Sequence, residues 1–136
     1  LYKRHFHRSW WRSVRPYLMI EYFGSCHCKK VKFSFFTEKI LEGLYRCNCS
    51  LCQKKAIIMK PISKVHFNLQ KGADDLLNYQ WNKKIAKHFF CSSCGVYTHH
   101  IRRRDPSQIS INIMCVDDIL IPPNTDINLI DGASHD

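Results

Sequence analysis

The sequence predicts a mainly β protein built as one domain, and three observations carry that prediction. Apolar side chains recur at every second position through much of the chain after Met19, the period of a half-buried strand. Only two short stretches fit a helical turn. Seven of the eight cysteines fall in three tight clusters, which tie distant segments together without a large helical core. A length of 136 residues suits one domain, is short for two, and allows a real core without disulfide stapling.

The elements follow in order. Val31, Phe33 and Phe35 alternate with Lys32 and Ser34 as an amphipathic strand. A helical turn fits 51–56. Val65, Phe67 and Leu69 form the next alternation and lead into a turn at Lys71-Gly72-Ala73-Asp74. Residues 76–81 and 85–90 read as two strands joined by Asn82-Lys83-Lys84. Another strand covers 95–101, and Ile109, Ile111 and Ile113 alternate cleanly. A second helical turn fits 116–120, and Pro122-Pro123-Asn124 breaks the chain before a C-terminal extended piece.

Charge narrows the function classes. The formal net charge is +10, from 21 Lys and Arg against 11 Asp and Glu. Residues 1–18 carry Lys3, Arg4, Arg8, Arg12 and Arg15 without an acid, together with Phe6, Trp10 and Trp11. That is the composition of an organellar transit peptide, or of a basic anchor for phosphate-bearing partners. Met19 stands just ahead of the first turn signal, Gly24. The expectation is therefore a basic N-terminal extension over 1–18, outside the fold, and a single domain over 19–136. Zinc held by thiolates adds negative charge, so the metal-loaded body approaches neutrality and a nucleic-acid partner is not expected. A chain 45% hydrophobic and 24% charged is not a disordered one. No apolar run nears the roughly 20 residues of a membrane span, so no membrane partner is expected. With no secretory signal visible, a reducing, cytoplasmic setting is expected, where cysteine clusters read as metal sites before disulfides.

Each cluster has a physical use. In Cys26-His27-Cys28 the outer residues share one face of an extended segment and aim two thiolates at one point. In Cys91-Ser92-Ser93-Cys94 a tight turn brings two sulfurs together, and Gly95 supplies permissive backbone. The two pairs complete a tetrahedral structural zinc site. Cys47-Asn48-Cys49-Ser50-Leu51-Cys52 offers three thiolates and no fourth ligand in the same run. Three protein ligands and an open position mark catalytic zinc. The alternative is a second structural site closed by a distant His or by Cys115. Cys115, however, continues the Ile109-Ile111-Ile113 face and reads as a small buried hydrophobe. A disulfide framework is the rival for all eight, and Cys-x-Cys is a poor geometry for it.

The motifs carry a family likeness. Gly24-Ser25-Cys26-His27-Cys28, Cys47-Asn48-Cys49-Ser50-Leu51-Cys52-Gln53-Lys54 and His88-Phe89-Phe90-Cys91-Ser92-Ser93-Cys94-Gly95 resemble the glutathione-dependent formaldehyde-activating enzyme family, which includes the centromere protein V-like domain. Gly95-Val96-Tyr97-Thr98-His99-His100, with Arg102-Arg103-Arg104 and Asn112, is similar to a bacterial branch of it. The resemblance spans about residues 20–131. It implies an Mss4-like β fold organised around two zinc–cysteine sites. Cys26, Cys28, Cys91 and Cys94 would hold the structural zinc, and Cys47, Cys49 and Cys52 the second. Lys29 stands where the family often has glycine, which alters the local turn and removes no ligand.

The resemblance implies a carbon–sulfur lyase chemistry: addition of glutathione, or another thiol, to formaldehyde or a related aldehyde. Three thiolates make a weak Lewis acid and a better thiol carrier, so the open zinc is expected to deliver thiolate. Lys54, Lys55 or the Arg102–Arg104 run can receive glutathione carboxylates, with a solvated surface as the alternative for those charges. His99 and His100 point to opposite faces of one strand, so at most one approaches the zinc. Lys54, His99 and Arg102 are the named substrate contacts. The competing class is a zinc-stabilised binding module for nucleic acid or a protein partner, with the basic arm as its grip. A binder gathers its basic residues on one face of the body, whereas an enzyme needs the open zinc in a pocket.

Overall fold

The computed structural model describes residues 18–135. Apart from Leu18, the extension expected over 1–18 lies outside the described residues. In chain order the strands are β1 (Ile20–Ser25), β2 (Lys32–Thr37), β3 (Tyr45–Cys47), β4 (Met59–Ser63), β5 (Phe67–Lys71), β6 (Leu76–Tyr79), β7 (Lys87–Cys91), β8 (Tyr97–Ile101), β9 (Gln108–Asn112) and β10 (Asn128–Ile130). One short helix, α1 (Ser50–Lys55), follows β3. The strands form a three-stranded sheet, β1-β2-β5, and a seven-stranded one, β10-β3-β4-β9-β8-β7-β6. Neighbours run antiparallel except β10 and β3, which are parallel. The mainly β expectation holds.

The core lies between the sheets. Phe33 and Phe35 of β2, both fully buried, meet Ile62 of β4 and Ile109 and Ile111 of β9. Each such side chain contributes about 1.5–3 kcal/mol by leaving water. Gly24 of β1 pairs with Phe33, and a Cβ there would lie 2.6 Å from the Phe33 ring and 2.8 Å from the Cys115 carbonyl. Only glycine lets β1 pass between them. The Asp117 N–H then donates to the Phe23 carbonyl at 2.8 Å and ties the chain after β9 to this edge.

Three strands escaped the alternation pattern, among them β1, which runs straight into the first cysteine pair. β3 is three residues long, and β4 reads Met59-Lys60-Pro61-Ile62-Ser63. Lys60 is buried there because its ammonium donates to the Lys39 and Glu42 carbonyls at 2.8 and 2.5 Å. Pro61 is tolerated because β3 pairs with β4 only at Met59, so no ladder donor is needed on that side. The second helical turn also moves: a 3₁₀ turn spans Ile113–Cys115, capped by Asn112, whose side-chain oxygen accepts from the Met114 N–H at 3.2 Å. Residues 116–120 are not helical.

Candidate metal centres and pocket

The four-thiol cluster joins the two sheets. Cys26 and Cys28 lie in the turn after β1, Cys91 ends β7, and Cys94 lies in the turn before β8. Cys28 Sγ is 3.6 Å from Cys26 Sγ and 3.7 Å from Cys91 Sγ, and all four sulfurs lie within 4.8 Å of one another. A tetrahedron with Zn–S bonds of about 2.3 Å has edges of about 3.8 Å, so the donor set fits zinc. The turns aim N–H groups at sulfur, from Val31 to Cys26 at 3.4 Å and from Ser93 to Cys91 at 3.3 Å. Backbone N–H groups of Cys28 and Val96 hold the Cys94 thiol down to about 6. The Lys30 N–H favours the Cys28 thiolate, but loss of solvent and the neighbouring thiols push this thiol up to about 11. Four thiols this close do not all ionise unaided; a dication makes the four-thiolate set stable.

The three-thiol cluster is built by α1. Cys47 ends β3, and Cys49 caps the helix, its sulfur accepting from the Cys52 N–H at 3.3 Å. The helix stops at Ala56, left-handed at φ 51° and ψ 37°, whose N–H returns to the Cys52 carbonyl at 2.9 Å. One helical turn therefore carries Cys52 back over Cys49. Residues following β10 close the other side. Asn48 Oδ1 accepts from the Ala133 N–H at 2.8 Å, and Gly132 lies directly against Cys47, where a Cβ would overlap the sulfur.

The three sulfurs also lie within 4.8 Å of one another, and no further His, Cys, Asp or Glu among the described residues joins the group. Cys115 is elsewhere, donating to the Tyr97 carbonyl at 3.5 Å, its thiol pushed up to about 12 by burial. The Cys52 thiol, donating to Cys47, brings the Cys47 thiol down to about 5, helped by the N–H groups of Cys49 and Gly132. That thiolate in turn holds Cys52 far above its ordinary range, and burial raises Cys49. Without a cation the trio favours one thiolate; a dication held by Cys47, Cys49 and Cys52 would stabilise all three.

This trio opens into a cavity of about 380 Å³, within the range of roughly 300–1,000 Å³ typical of small-ligand sites. Cross-strand register puts His88 of β7, His100 of β8 and Ser110 of β9 in one row on the cavity's side of the sheet. Tyr45 lines the cavity with its hydroxyl hydrogen-bonded to Ser110 Oγ. His88 Nδ1 is 2.7 Å from the Tyr97 hydroxyl, whereas His100 Nδ1 is buried without a partner. Both imidazoles are neutral near pH 7. Burial, with Lys55 nearby, brings His88 down to about 4, and burial beside His88 and Arg102 brings His100 down to about 3.

The named substrate contacts divide. Arg102 lines the cavity, its guanidinium 4.8 Å above the Tyr45 ring and donating to Gln108 Oε1 at 2.6 Å. His99 turns away, between the Phe67 and Phe89 rings at 4.7 and 4.8 Å, with Nδ1 2.9 Å from Thr98 Oγ1. Alternation on β8 gives the cavity to His100 instead. Lys54 is exposed on α1 and outside the lining, while Lys55 lies 4.9 Å above the Tyr97 ring. Trp81, Lys83 and Lys84, on the loop between β6 and β7, also line the cavity and were read only as strand end and turn.

A two-sheet β fold with a four-thiol cage between its sheets, and a three-thiol group opening into a cationic cavity, defines a protein able to hold metal at one structural and one accessible centre. The family model of the glutathione-dependent formaldehyde-activating enzyme matches residues 21–129, and the chain belongs to that family. It is similar to a Rhodobacter sphaeroides protein of known crystal structure, 29% identical, with a TM-score of 0.74 over 79% of this chain and 99% of that one. Among the described residues no helix is long and apolar enough to cross a membrane.

Proposed function

We propose that both clusters carry zinc and that the protein adds a thiol, with glutathione as the first candidate, to formaldehyde in the cytoplasm. The observation that carries this reading is the placement of the open trio, Cys47, Cys49 and Cys52, in the cavity wall, with the four-thiol cage outside it. Zinc on the trio would supply an anchored thiolate at neutral pH. The rest is done by the chain. Arg102 draws a carboxylate of the thiol compound toward the wall. Trp81 and Ile130 give the cavity apolar wall beside the trio. As the C–S bond forms, the carbonyl π pair moves to oxygen, which takes the proton the thiol gave up. His100 and His88, kept neutral by burial, can hydrogen-bond that oxygen, while water carries the proton from the thiol.

Thiols add to formaldehyde unaided, so product alone proves nothing. The test is exchange between free formaldehyde and its glutathione adduct, followed by magnetisation-transfer NMR with and without the zinc-loaded protein. Acceleration that Cys52→Ser abolishes while one zinc is retained supports the reading. Equal rates with wild type and buffer overturn it.

A further inference from the structure

We infer that the cavity chooses its thiol by charge at the end remote from sulfur, taking thiols that bear two or more anionic groups and giving a free ammonium no seat. This rests on the thiol-addition reading above. Lys83, Lys84, Arg102, Arg103 and Arg104 all line the cavity, and no Asp or Glu among the described residues does. The acids next in sequence to lining residues, Asp105 and Asp131, are engaged with their own loops. Asp131 accepts from Ser134 Oγ at 2.7 Å, and Asp105 accepts from Ser107 Oγ at 2.6 Å and from its N–H at 3.1 Å.

The cations are held in place. Arg102 is fixed between the Tyr45 ring and Gln108. The loop carrying Lys83 and Lys84 is pinned by Gln80, whose Nε2 donates to the Lys84 and Ala86 carbonyls at 2.9 and 3.3 Å. Asn82 and Lys84 take left-handed φ of 55° and 56°, which bends this loop. Away from the thiol trio the charged side chains of the wall are all cationic, and such a rim concentrates anionic groups and repels an ammonium. His100 Nδ1, buried without a partner among the described residues, belongs to a neutral imidazole and does nothing to offset the positive rim. Glutathione brings two carboxylates that suit the site and one ammonium that does not.

The experiment is calorimetric titration of the zinc-loaded full chain with four thiols: glutathione, N-acetylglutathione, glutathione diethyl ester and cysteamine. Each is repeated as its S-methyl derivative. N-acetylglutathione is expected to bind about fivefold tighter than glutathione, with the diester and cysteamine weakest. The order should flatten near 1 M salt, where the Debye length is about 3 Å. A Lys83→Gln/Lys84→Gln protein should compress it at low salt. Glutathione binding as well as its acetylated form, or no binding by any of the four, overturns the inference. S-methyl compounds that bind as tightly as the thiols, in the same charge order, support charge selection and count against thiol addition.

Discussion

Gly132 leaves no room for a side chain, because a Cβ there would lie 2.4 Å from the Cys47 sulfur and 3.1 Å from the Cys49 Cβ. Gly132→Ala must therefore displace either the segment after β10 or the ligand. The expected outcome is loss of one zinc of two, with the β fold intact; metal analysis together with circular dichroism reads both, and retention of two zincs refutes it. Lys29 poses the converse problem. It takes φ 67°, backbone that glycine adopts freely and that costs an L-residue about 1–2 kcal/mol. The turn is therefore not altered as the sequence suggests: it keeps a glycine-like conformation, at the expense of strain. Lys29→Gly should gain about 0.5–1 kcal/mol net, since glycine also loosens the unfolded chain, and raise the melting temperature by a few degrees. A lower melting temperature would show that the lysine side chain contributes more than its backbone costs.

At the scale of elements, each thiol cluster depends on a different kind of support. Cys94 belongs to the turn between two strands of the large sheet and reaches the β1–β2 turn of the small one, whereas Cys52 sits on a six-residue helix at the rim. Cys94→Ser should unfold the domain or lower its melting point drastically, because structural zinc supplies folding free energy directly. Cys52→Ser should melt within a few degrees of wild type and lose only the second metal. Equal melting of the two variants would erase the division into structural and reactive centres. The same contrast explains what the sequence made legible. Phe33 and Phe35 on β2 and Ile109 and Ile111 on β9 announce their strands because one face meets an apolar core. Spacing alone also paired Cys26 and Cys28 with Cys91 and Cys94, and the structure brings those four sulfurs together. The cavity was less visible because the β9 positions behind its wall are polar and buried at once. Ser110 and Asn112 fill the alternate positions of β9, looking like a solvent face, yet both are buried and hydrogen-bonded to Tyr45 and to the Tyr97 carbonyl. Choosing between His99 and His100 needed the register with β7 and β9, which adjacent sequence does not contain.

For the whole molecule, the contact between the sheets has a pH dependence of its own. His99 is 4% exposed, with the Phe33 and Phe67 rings of the small sheet on one side and Phe89 of the large sheet beside it. Burial brings its imidazole down from 6.5 to about 4. Below about pH 6.5 the unfolded chain accepts a proton there that the folded chain refuses until about pH 4. Its contribution is therefore full above pH 6.5 and lost as the pH falls through this window, at up to about 1.4 kcal/mol per pH unit. Acid also protonates the thiolates and releases metal, but that loss is common to wild type and His99→Gln. The difference between their stability curves, from denaturant melts at half-unit steps, isolates the histidine. The glutamine variant should be less stable near pH 7, where the ring's packing is lost, and its curve should fall less steeply between pH 6 and 4, by about one proton. Parallel curves would mean that His99 takes up its proton in the folded state, and that the space between the two sheets is wetter than its aromatic lining implies.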